Sequence, residues 1–185
     1  MKRVLVIGPS GAGKSTFAAG LAQKTGLPLI HLDTEYWNPG WVPTPDEDWL
    51  PRIEELAARD SWIMEGNYSA TFPIRMPRAD TIFLVIRPRW LCLARALWRS
   101  TKHYGRTRPD LAPGCPERYN LEFLKWVWDF ERRSLPRVRE AMATLGAHAD
   151  HITIATDREG ERFLAQVGAG EGPRRADTDR QNSFD

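Results

Sequence analysis

The fold of this 185-residue chain is decided by residues 4–15, which read VLVIGPSGAGKS. Four consecutive aliphatic residues predict a short buried strand. The next eight residues match the pattern G-x-x-x-x-G-K-[ST] at every fixed position, and a helix is predicted from Lys14 to about Lys24. Strand, glycine-rich loop and helix, in this order, are the setting that a phosphate-binding P-loop requires. We therefore expect the chain to bind a nucleoside triphosphate.

Each residue type in this loop suits the binding of phosphate. Glycine at positions 8, 11 and 13 allows backbone conformations in which successive N–H groups turn towards phosphate oxygens. Lys14 is expected to contact the β- and γ-phosphates, and the Ser15 hydroxyl to ligate Mg²⁺. The residues predicted to bind the nucleotide are Gly8, Gly11, Ala12, Gly13, Lys14, Ser15 and Thr16.

The composition is that of an ordinary globular protein. The net charge is +2, with 42% hydrophobic and 27% charged residues. No apolar run approaches the roughly 20 residues of a membrane span, and the chain enters a strand at once, without the pattern of a signal peptide. Two cysteines, Cys92 and Cys115, are too few for a disulfide framework or a zinc site. We expect reduced thiols in a cytoplasmic protein, either a monomer or a homodimer.

Strands alternate with helices along the rest of the chain. Further strands are predicted over residues 27–33, 61–64, 81–86 and 151–155. This alternation predicts an α/β fold of three layers with a five-stranded parallel sheet, which binds ligands at the carboxyl ends of its strands. Residues 1–167 are predicted to form this domain, and the polar residues 168–185 a disordered tail.

Acidic residues follow two of the predicted strands. Asp33 and Glu65 are placed at the same edge of the sheet as the P-loop. A carboxylate there can support Mg²⁺ or accept the proton of an attacking hydroxyl. The fourth strand, a usual place for a metal-supporting acid, leads instead to Arg87 and Pro88. The metal-supporting role therefore falls to Asp33 or Glu65, and the alternative is that each is a cap or turn residue.

Residues 87–139 are strongly basic. They contain 13 of the 26 Lys and Arg residues against five acids, a net charge of +8. Their middle, residues 104–116, is rich in Gly and Pro and lies between two predicted helices. This pattern predicts an inserted helical lid whose arginines, Arg99 and Arg106 above all, neutralise charge on a transferring phosphoryl group. The alternative is a solvated basic face.

Several blocks of the sequence resemble the adenylate-kinase-like P-loop proteins described as DNA topology modulation proteins. The resemblance extends over roughly residues 3–165. The matching blocks are GPSGAGKST (8–16), HLDTEYWNPGW (31–41), WIMEGNYS (62–69), RADTIFLVIRPRW (78–90) and GRTRPDLAPGCPERYNLEFLKWVW (105–128).

The wider resemblance is to adenylate, shikimate and gluconate kinases. It implies a nucleoside-monophosphate-kinase-like core and phosphoryl transfer from ATP with Mg²⁺. Asp33 matches the acid that meets the acceptor or the metal in those enzymes, and Glu65, before Gly66, replaces a more usual Asp. The resemblance also implies that arginines hold the acceptor's phosphate or carboxylate and that another flanks the adenine. The candidates are Arg75 and Arg78 for the acceptor, and Arg158 for the adenine.

These features favour an ATP-dependent kinase acting on a small molecule or a nucleotide. The alternatives are a nucleic-acid-associated ATPase and a nucleotide-binding regulatory protein with weak catalysis. A signalling GTPase is disfavoured because the sequence contains no N-K-x-D element. The acceptor is not specified by the motifs. The aromatic residues Tyr36, Trp37 and Trp41, close to Asp33, would suit a base or an apolar ring, or would serve packing alone.

Overall fold

The computed structural model of the chain describes residues 1–108 and 110–168. Five parallel strands form the central sheet in the order β2-β5-β1-β6-β7, and a short antiparallel hairpin, β3-β4, lies outside it. The strands are β1 (Arg3–Ile7), β2 (Leu29–His31), β3 (Trp37–Asn38), β4 (Val42–Pro43), β5 (Trp62–Glu65), β6 (Thr81–Val85) and β7 (Asp150–Ile154).

Helices connect these strands and cover both faces of the sheet. They are α1 (Lys14–Thr25), α2 (Leu32–Tyr36), α3 (Asp46–Ala57), α4 (Phe72–Arg75), α5 (Arg89–Lys102), α6 (Leu121–Arg133), α7 (Leu135–Leu145) and α8 (Asp157–Gly168). Among the described residues, none of the helices is both long enough and apolar enough to cross a membrane.

The sheet separates two hydrophobic clusters, and β1 contributes to both. Leu5 and Ile7 belong to the cluster formed with α3, α4 and α7, whereas Val4 and Val6 belong to the cluster formed with α1 and α8. All four side chains are fully buried. Successive residues of a strand face opposite ways, so a strand buried on both faces is apolar at every position. The predicted three-layer α/β fold with a five-stranded parallel sheet is confirmed.

The second strand is shorter than the sequence predicts. It ends at His31, and Leu32 begins α2, so Asp33 lies in the first turn of a short helix rather than on a strand. The Thr34 hydroxyl donates a hydrogen bond to the His31 carbonyl oxygen at 2.6 Å, and Asp33 and Glu35 are favourable near a helix N-terminus. Local side-chain interactions therefore end the strand early.

The basic segment 87–139 folds as a helical hairpin followed by part of a core helix. Helices α5 and α6 pack against each other, and residues 103–120 join them. The predicted boundary at Arg139 falls inside α7, whose Leu135, Val138 and Met142 are buried against the sheet. Cys92 and Cys115 are both buried and free. The predicted disordered tail, 168–185, lies outside the described residues except for Gly168, which ends α8.

Candidate active site

A cleft of about 1050 Å³ lies at the carboxyl ends of the strands. The P-loop and the start of α1 form its floor. One wall is formed by lining residues of α2, the β3-β4 hairpin and residues 65–68. The other is formed by lining residues of α5 and the start of α6, together with Arg108, Asp110, Leu111, Glu117 and Arg118. This volume is at the upper end of the range for sites that bind small molecules. We call it the cleft below.

The P-loop packs directly against its neighbours, and this requires glycine. Gly8 has φ +144° and Gly11 has φ +80°. A Cβ atom at Gly8 would lie 1.9 Å from the carbonyl oxygen of Val85, and one at Gly11 would lie 2.2 Å from that of Cys92. Helix α1 then begins without a side-chain cap. Its first N–H groups therefore remain available to an anion, as phosphate binding requires.

Glu65 lies at the centre of a polar cluster beside the P-loop. Its carboxylate lies 3.5 Å from the Lys14 ammonium, accepts a hydrogen bond from the Ser15 hydroxyl at 3.2 Å and contacts His31 Nδ1 at 3.1 Å. Burial alone would raise the pKa of Glu65, but Lys14 and the hydrogen bond with His31 keep that pKa below its usual value. The same hydrogen bond raises the pKa of His31. Glu65 is therefore held ionised next to Ser15.

This cluster contains the oxygen donors that Mg²⁺ prefers. Mg²⁺ usually takes one or two protein oxygens and completes its shell with phosphate and water. The Ser15 hydroxyl and the Glu65 carboxylate fit that arrangement. Within residues 1–108 and 110–168, no group of three His, Cys, Asp or Glu side chains is arranged to hold a metal by itself. Between the two acids that the sequence leaves open for this role, Glu65 is the one in contact with Ser15.

Asp33 occupies a different part of the cleft, with one carboxylate oxygen fixed. The Tyr68 hydroxyl donates a hydrogen bond to Oδ1 at 2.5 Å, and no described residue donates to Oδ2. Burial raises the pKa of Asp33, and the Tyr68 hydrogen bond opposes this effect only in part. Burial and the nearby Asp33 also raise the pKa of Tyr68. A carboxylate that is oriented, raised in pKa and open at one oxygen is suited to accept a proton.

Contrary to the expectation from sequence, the structure does not place Arg75 where it could bind the acceptor. Its side chain is fully buried and donates to the Thr71 hydroxyl at 2.7 Å and to the carbonyl oxygens of Asn67 and Tyr68. Burial lowers the pKa of Arg75. Its guanidinium holds the loop after β5 and is not accessible to an acceptor. Arg78 is also directed elsewhere, since it donates to the Glu54 carbonyl oxygen at 3.1 Å on the exterior.

Asn67 is a site residue that sequence reasoning did not single out. Its side-chain oxygen accepts a hydrogen bond from the Gly8 N–H at 3.0 Å, and its Nδ2 donates to the Gly8 carbonyl oxygen at 2.6 Å. These two bonds fasten the loop after β5 to the first residue of the P-loop. Its place directly after Glu65-Gly66 was the only sequence signal, and it does not indicate the partner.

The arginines of the helical hairpin meet at a buried acid, Glu117. Arg99 Nε and Arg108 Nε lie 3.2 and 2.8 Å from Glu117 Oε1, although neither N–H is oriented to form a hydrogen bond. Arg99 also donates to the Ser10 hydroxyl of the P-loop at 3.2 Å. Burial and the positive charge of Arg108 lower the pKa of Arg99. Arg106 is exposed and does not line the cleft, so Arg108 occupies the place predicted for it.

Arg158 is likewise outside the cleft. It is exposed in the first turn of α8, whereas its neighbour Asp157 forms an ion pair with Arg95 at 2.6 Å. Arg95 lines the cleft together with Trp98. The expectation for Arg158 is therefore corrected as well, because the arginine that pairs with Asp157 and lines the cleft, Arg95, comes from α5 rather than from the end of β7.

The β3-β4 hairpin is joined to residues 114–116 by three contacts. Trp41 Nε1 donates to the Pro116 carbonyl oxygen at 2.8 Å, and the Gly40 N–H donates to that of Gly114 at 2.8 Å. The Cys115 thiol lies 3.2 Å from the Asn38 carbonyl oxygen. These contacts hold Trp41 in place against the wall that carries the arginines.

Comparison with known proteins gives the fold. No family model and no curated protein sequence matches the chain. The structure of shikimate kinase from Acinetobacter baumannii in complex with shikimate is similar, with 18% identity, 90% of each chain covered and a TM-score of 0.51. A gluconokinase from Sinorhizobium meliloti 1021 has 18% identity, covers 91% of this chain and 94% of its own, and has a TM-score of 0.46. At this level of identity, the shikimate kinase shows the shared fold alone.

Proposed function

We propose that this protein is an ATP-dependent kinase that transfers the γ-phosphoryl group to a hydroxyl of a small molecule. The observation that carries the proposal is the arrangement of one cleft. A P-loop forms its floor, an oriented carboxylate, Asp33, lies on one wall, and two arginines, Arg99 and Arg108, lie on the other. The fold is also that of shikimate kinase, which supports the proposal without naming the acceptor.

The P-loop residues are proposed to hold the triphosphate. The backbone N–H groups at the start of α1 and the Lys14 ammonium provide donors and positive charge to the phosphate oxygens. Ser15 and Glu65 would hold Mg²⁺, directly and through water. When bound with the nucleotide, this ion neutralises charge on the β- and γ-phosphates.

Asp33 is proposed to act as the general base. The acceptor oxygen attacks the γ-phosphorus, and the bond from that phosphorus to the oxygen shared with the β-phosphate breaks. The hydroxyl proton passes to Asp33 Oδ2, to which no described residue donates a hydrogen bond. The products are the phosphate ester and ADP, and Asp33 then releases the proton to solvent. Tyr68 keeps the carboxylate oriented through Oδ1.

Arg99 and Arg108 are proposed to neutralise the transferring group. Phosphoryl transfer depends mainly on positioning and on charge stabilisation, and arginines commonly provide the latter. Arg99 already contacts Ser10 of the P-loop, and Arg108 is held beside it by Glu117. We therefore assign to Arg108 the role that sequence reasoning gave to Arg106.

A nucleic-acid-associated ATPase is the second candidate, suggested by the basic segment and by the resemblance to DNA topology modulation proteins. The ion pairs argue against it. Four of the thirteen basic residues of segment 87–139 contact carboxylates at the cleft or close to it. They are Arg87, Arg95, Arg99 and Arg108. Charge engaged in this way is not displayed to a phosphate backbone.

The proposal is tested by an acceptor screen that measures ADP release above the acceptor-free rate. Wild-type protein should show acceptor-dependent ADP formation with at least one hydroxyl compound, and Asp33→Asn should lower that turnover by about 10²-fold or more. ATP affinity, measured by calorimetry, should stay nearly unchanged in the variant. An Asp33→Asn variant that retains half of the wild-type turnover would show that Asp33 is not the base.

A further inference from the structure

We propose that the acceptor is a nucleoside-like compound, which is uncharged and combines a flat ring with a hydroxyl group. This inference rests on the proposed kinase function and adds the substrate class. Three features of the cleft carry it. They are a corner of two tryptophans on the wall that holds Asp33, a strained backbone that places one of them, and the engagement of the nearby arginines with other groups.

Trp37 and Trp41 form the corner. Their ring centroids are 5.5 Å apart and their planes are inclined by 71°, and both side chains line the cleft while remaining partly exposed. Two rings at nearly right angles offer an apolar face and an apolar edge to a planar ligand. Any of the nucleobases can stack on such an aromatic face, since every base has a π-face.

The corner is connected to the proposed base. The rings of Trp37 and Tyr36 are in edge-on contact, with their centroids 4.9 Å apart, and the centroids of the Tyr36 and Tyr68 rings are 4.8 Å apart. Tyr68 in turn donates its hydroxyl hydrogen bond to Asp33. The corner and Asp33 are therefore joined by one series of packed side chains, and both line the same cleft.

Trp41 adopts a backbone conformation that other residues would take more easily. Its φ is +64°, directly after Gly40 at φ +81°. Two consecutive left-handed residues make a tight hairpin turn, for which Asn and Gly are favoured and a bulky residue is an outlier. The turn by itself gives no reason for tryptophan. The indole donates a hydrogen bond to the Pro116 carbonyl oxygen, which fixes a ring that lines the cleft. The strained position of this ring supports a role in ligand contact.

The arginines near this wall are engaged elsewhere. Arg75 is buried among carbonyl oxygens, and Arg78 lies on the exterior. Of the arginines that line the cleft, Arg95 is paired with Asp157. Arg99 and Arg108 share Glu117 and are assigned to the transferring phosphoryl group, so they do not serve the acceptor.

Arg118 has no carboxylate partner within 4.0 Å among the described residues, and it is exposed to solvent while lining the cleft. Its guanidinium lies 5.8 Å from the centroid of the Trp41 ring. Asp33 lines the cleft on this wall and has no ion-pair partner among the described residues. A carboxylate or a phosphate held beside Asp33 would meet like charge, which disfavours acidic acceptors.

The test compares three acceptor classes in an assay of acceptor-dependent ADP release. The probes are the five common nucleosides, their 5′-monophosphates, and the acids shikimate and gluconate. We expect at least one nucleoside to have a kcat/KM roughly tenfold or more above those of its monophosphate and of both acids. Trp37→Leu should raise the KM for that nucleoside by roughly tenfold and leave the KM for ATP unchanged.

Two further variants keep the test interpretable. Trp41→Asn suits the left-handed backbone, removes the ring and should also raise the nucleoside KM. Trp90→Leu is the control, because Trp90 is 63% exposed and lies outside the cleft, and both KM values should stay at the wild-type level. Preferred use of an acid or a monophosphate, with Trp37→Leu neutral, would overturn the substrate class and leave the kinase function standing. Failure of every compound to raise ADP release would overturn both.

Discussion

Replacing Glu117 by Gln removes the carboxylate that joins Arg99 and Arg108. Glu117 is 6% exposed, lies 3.2 and 2.8 Å from the two guanidiniums and accepts a hydrogen bond from Ser100 at 3.1 Å. Gln keeps the shape and the hydrogen bond but loses the negative charge. The two guanidiniums would then repel each other in a partly buried place, so we expect the unliganded protein to be less stable.

The size of this effect follows from the exposure of the pair. Removing one partner of a fully buried ion pair costs about 3–5 kcal/mol. Here the side chains of Arg99 and Arg108 are 24% and 14% exposed, and Arg108 keeps an ion pair with Asp110 at 2.9 Å. Solvent and this second acid reduce the cost, so we expect a loss of roughly 2–3 kcal/mol. For a chain of this length, that corresponds to a fall in Tm of about 4–12 °C.

Thermal unfolding with and without ATP provides the assay. ATP should raise the Tm of Glu117→Gln by more than it raises the wild-type Tm, because the triphosphate replaces the missing negative charge beside the two arginines. Glu131→Gln, at an exposed position of α6, is the matched control and should behave as wild type. A Glu117→Gln variant whose Tm lies within about 1 °C of wild type would refute the view that this acid holds the arginines in place.

Three further substitutions test the P-loop, the loop that packs on it and the proposed general base, Asp33. Lys14→Ala should weaken ATP binding about tenfold or more in calorimetry, since a charge-assisted contact contributes roughly 1.5–3 kcal/mol, and equal affinities would rule out its assigned role. Asn67→Ala loses two hydrogen bonds to Gly8, so the free energy of unfolding in urea should fall by about 1–3 kcal/mol. An unchanged urea midpoint would show that these bonds do not fasten the loop after β5 to the P-loop. Burial raises the pKa of Asp33, so its ionised carboxylate destabilises the fold above that pKa. Asp33→Asn should therefore be more stable than wild type at pH 7, and the difference in stability should shrink as the pH falls through the raised pKa. A variant that is less stable than wild type at pH 7 would show that burial of the charge is not the dominant effect.

The sheet and the P-loop were predictable because short-range patterns determine them. The apolar run before Gly8, the spacing of the loop glycines and the alternation of strands with helices each report on neighbouring residues alone. The same holds for Lys14 and Ser15, whose positions follow from the loop itself. The early end of β2 was not predictable, because it depends on a hydrogen bond from the Thr34 hydroxyl of α2 to the carbonyl oxygen of His31, the last residue of β2.

The direction of the arginines could not be predicted in this way. Arg106 and Arg108 lie two residues apart in one loop, and only the packing of that loop on Glu117 places Arg108 inward. Arg75 is buried because the loop after β5 presents carbonyl oxygens that need a donor. These contacts join residues seven to nine positions apart across irregular loops, where no helix or strand periodicity tells from sequence which way a side chain points.

The proposed kinase function requires that the cleft transfer a phosphoryl group to a hydroxyl positioned by Asp33. This transfer can be followed with ATP labelled at the γ-phosphate, incubated with the protein and the acceptor found in the screen. Wild-type protein should move the label into an ester of the acceptor, and Asp33→Asn should do so about 10²-fold or more slowly while binding ATP normally. Label released by wild-type protein solely as inorganic phosphate, at a rate that no acceptor changes, would rule out the proposed function.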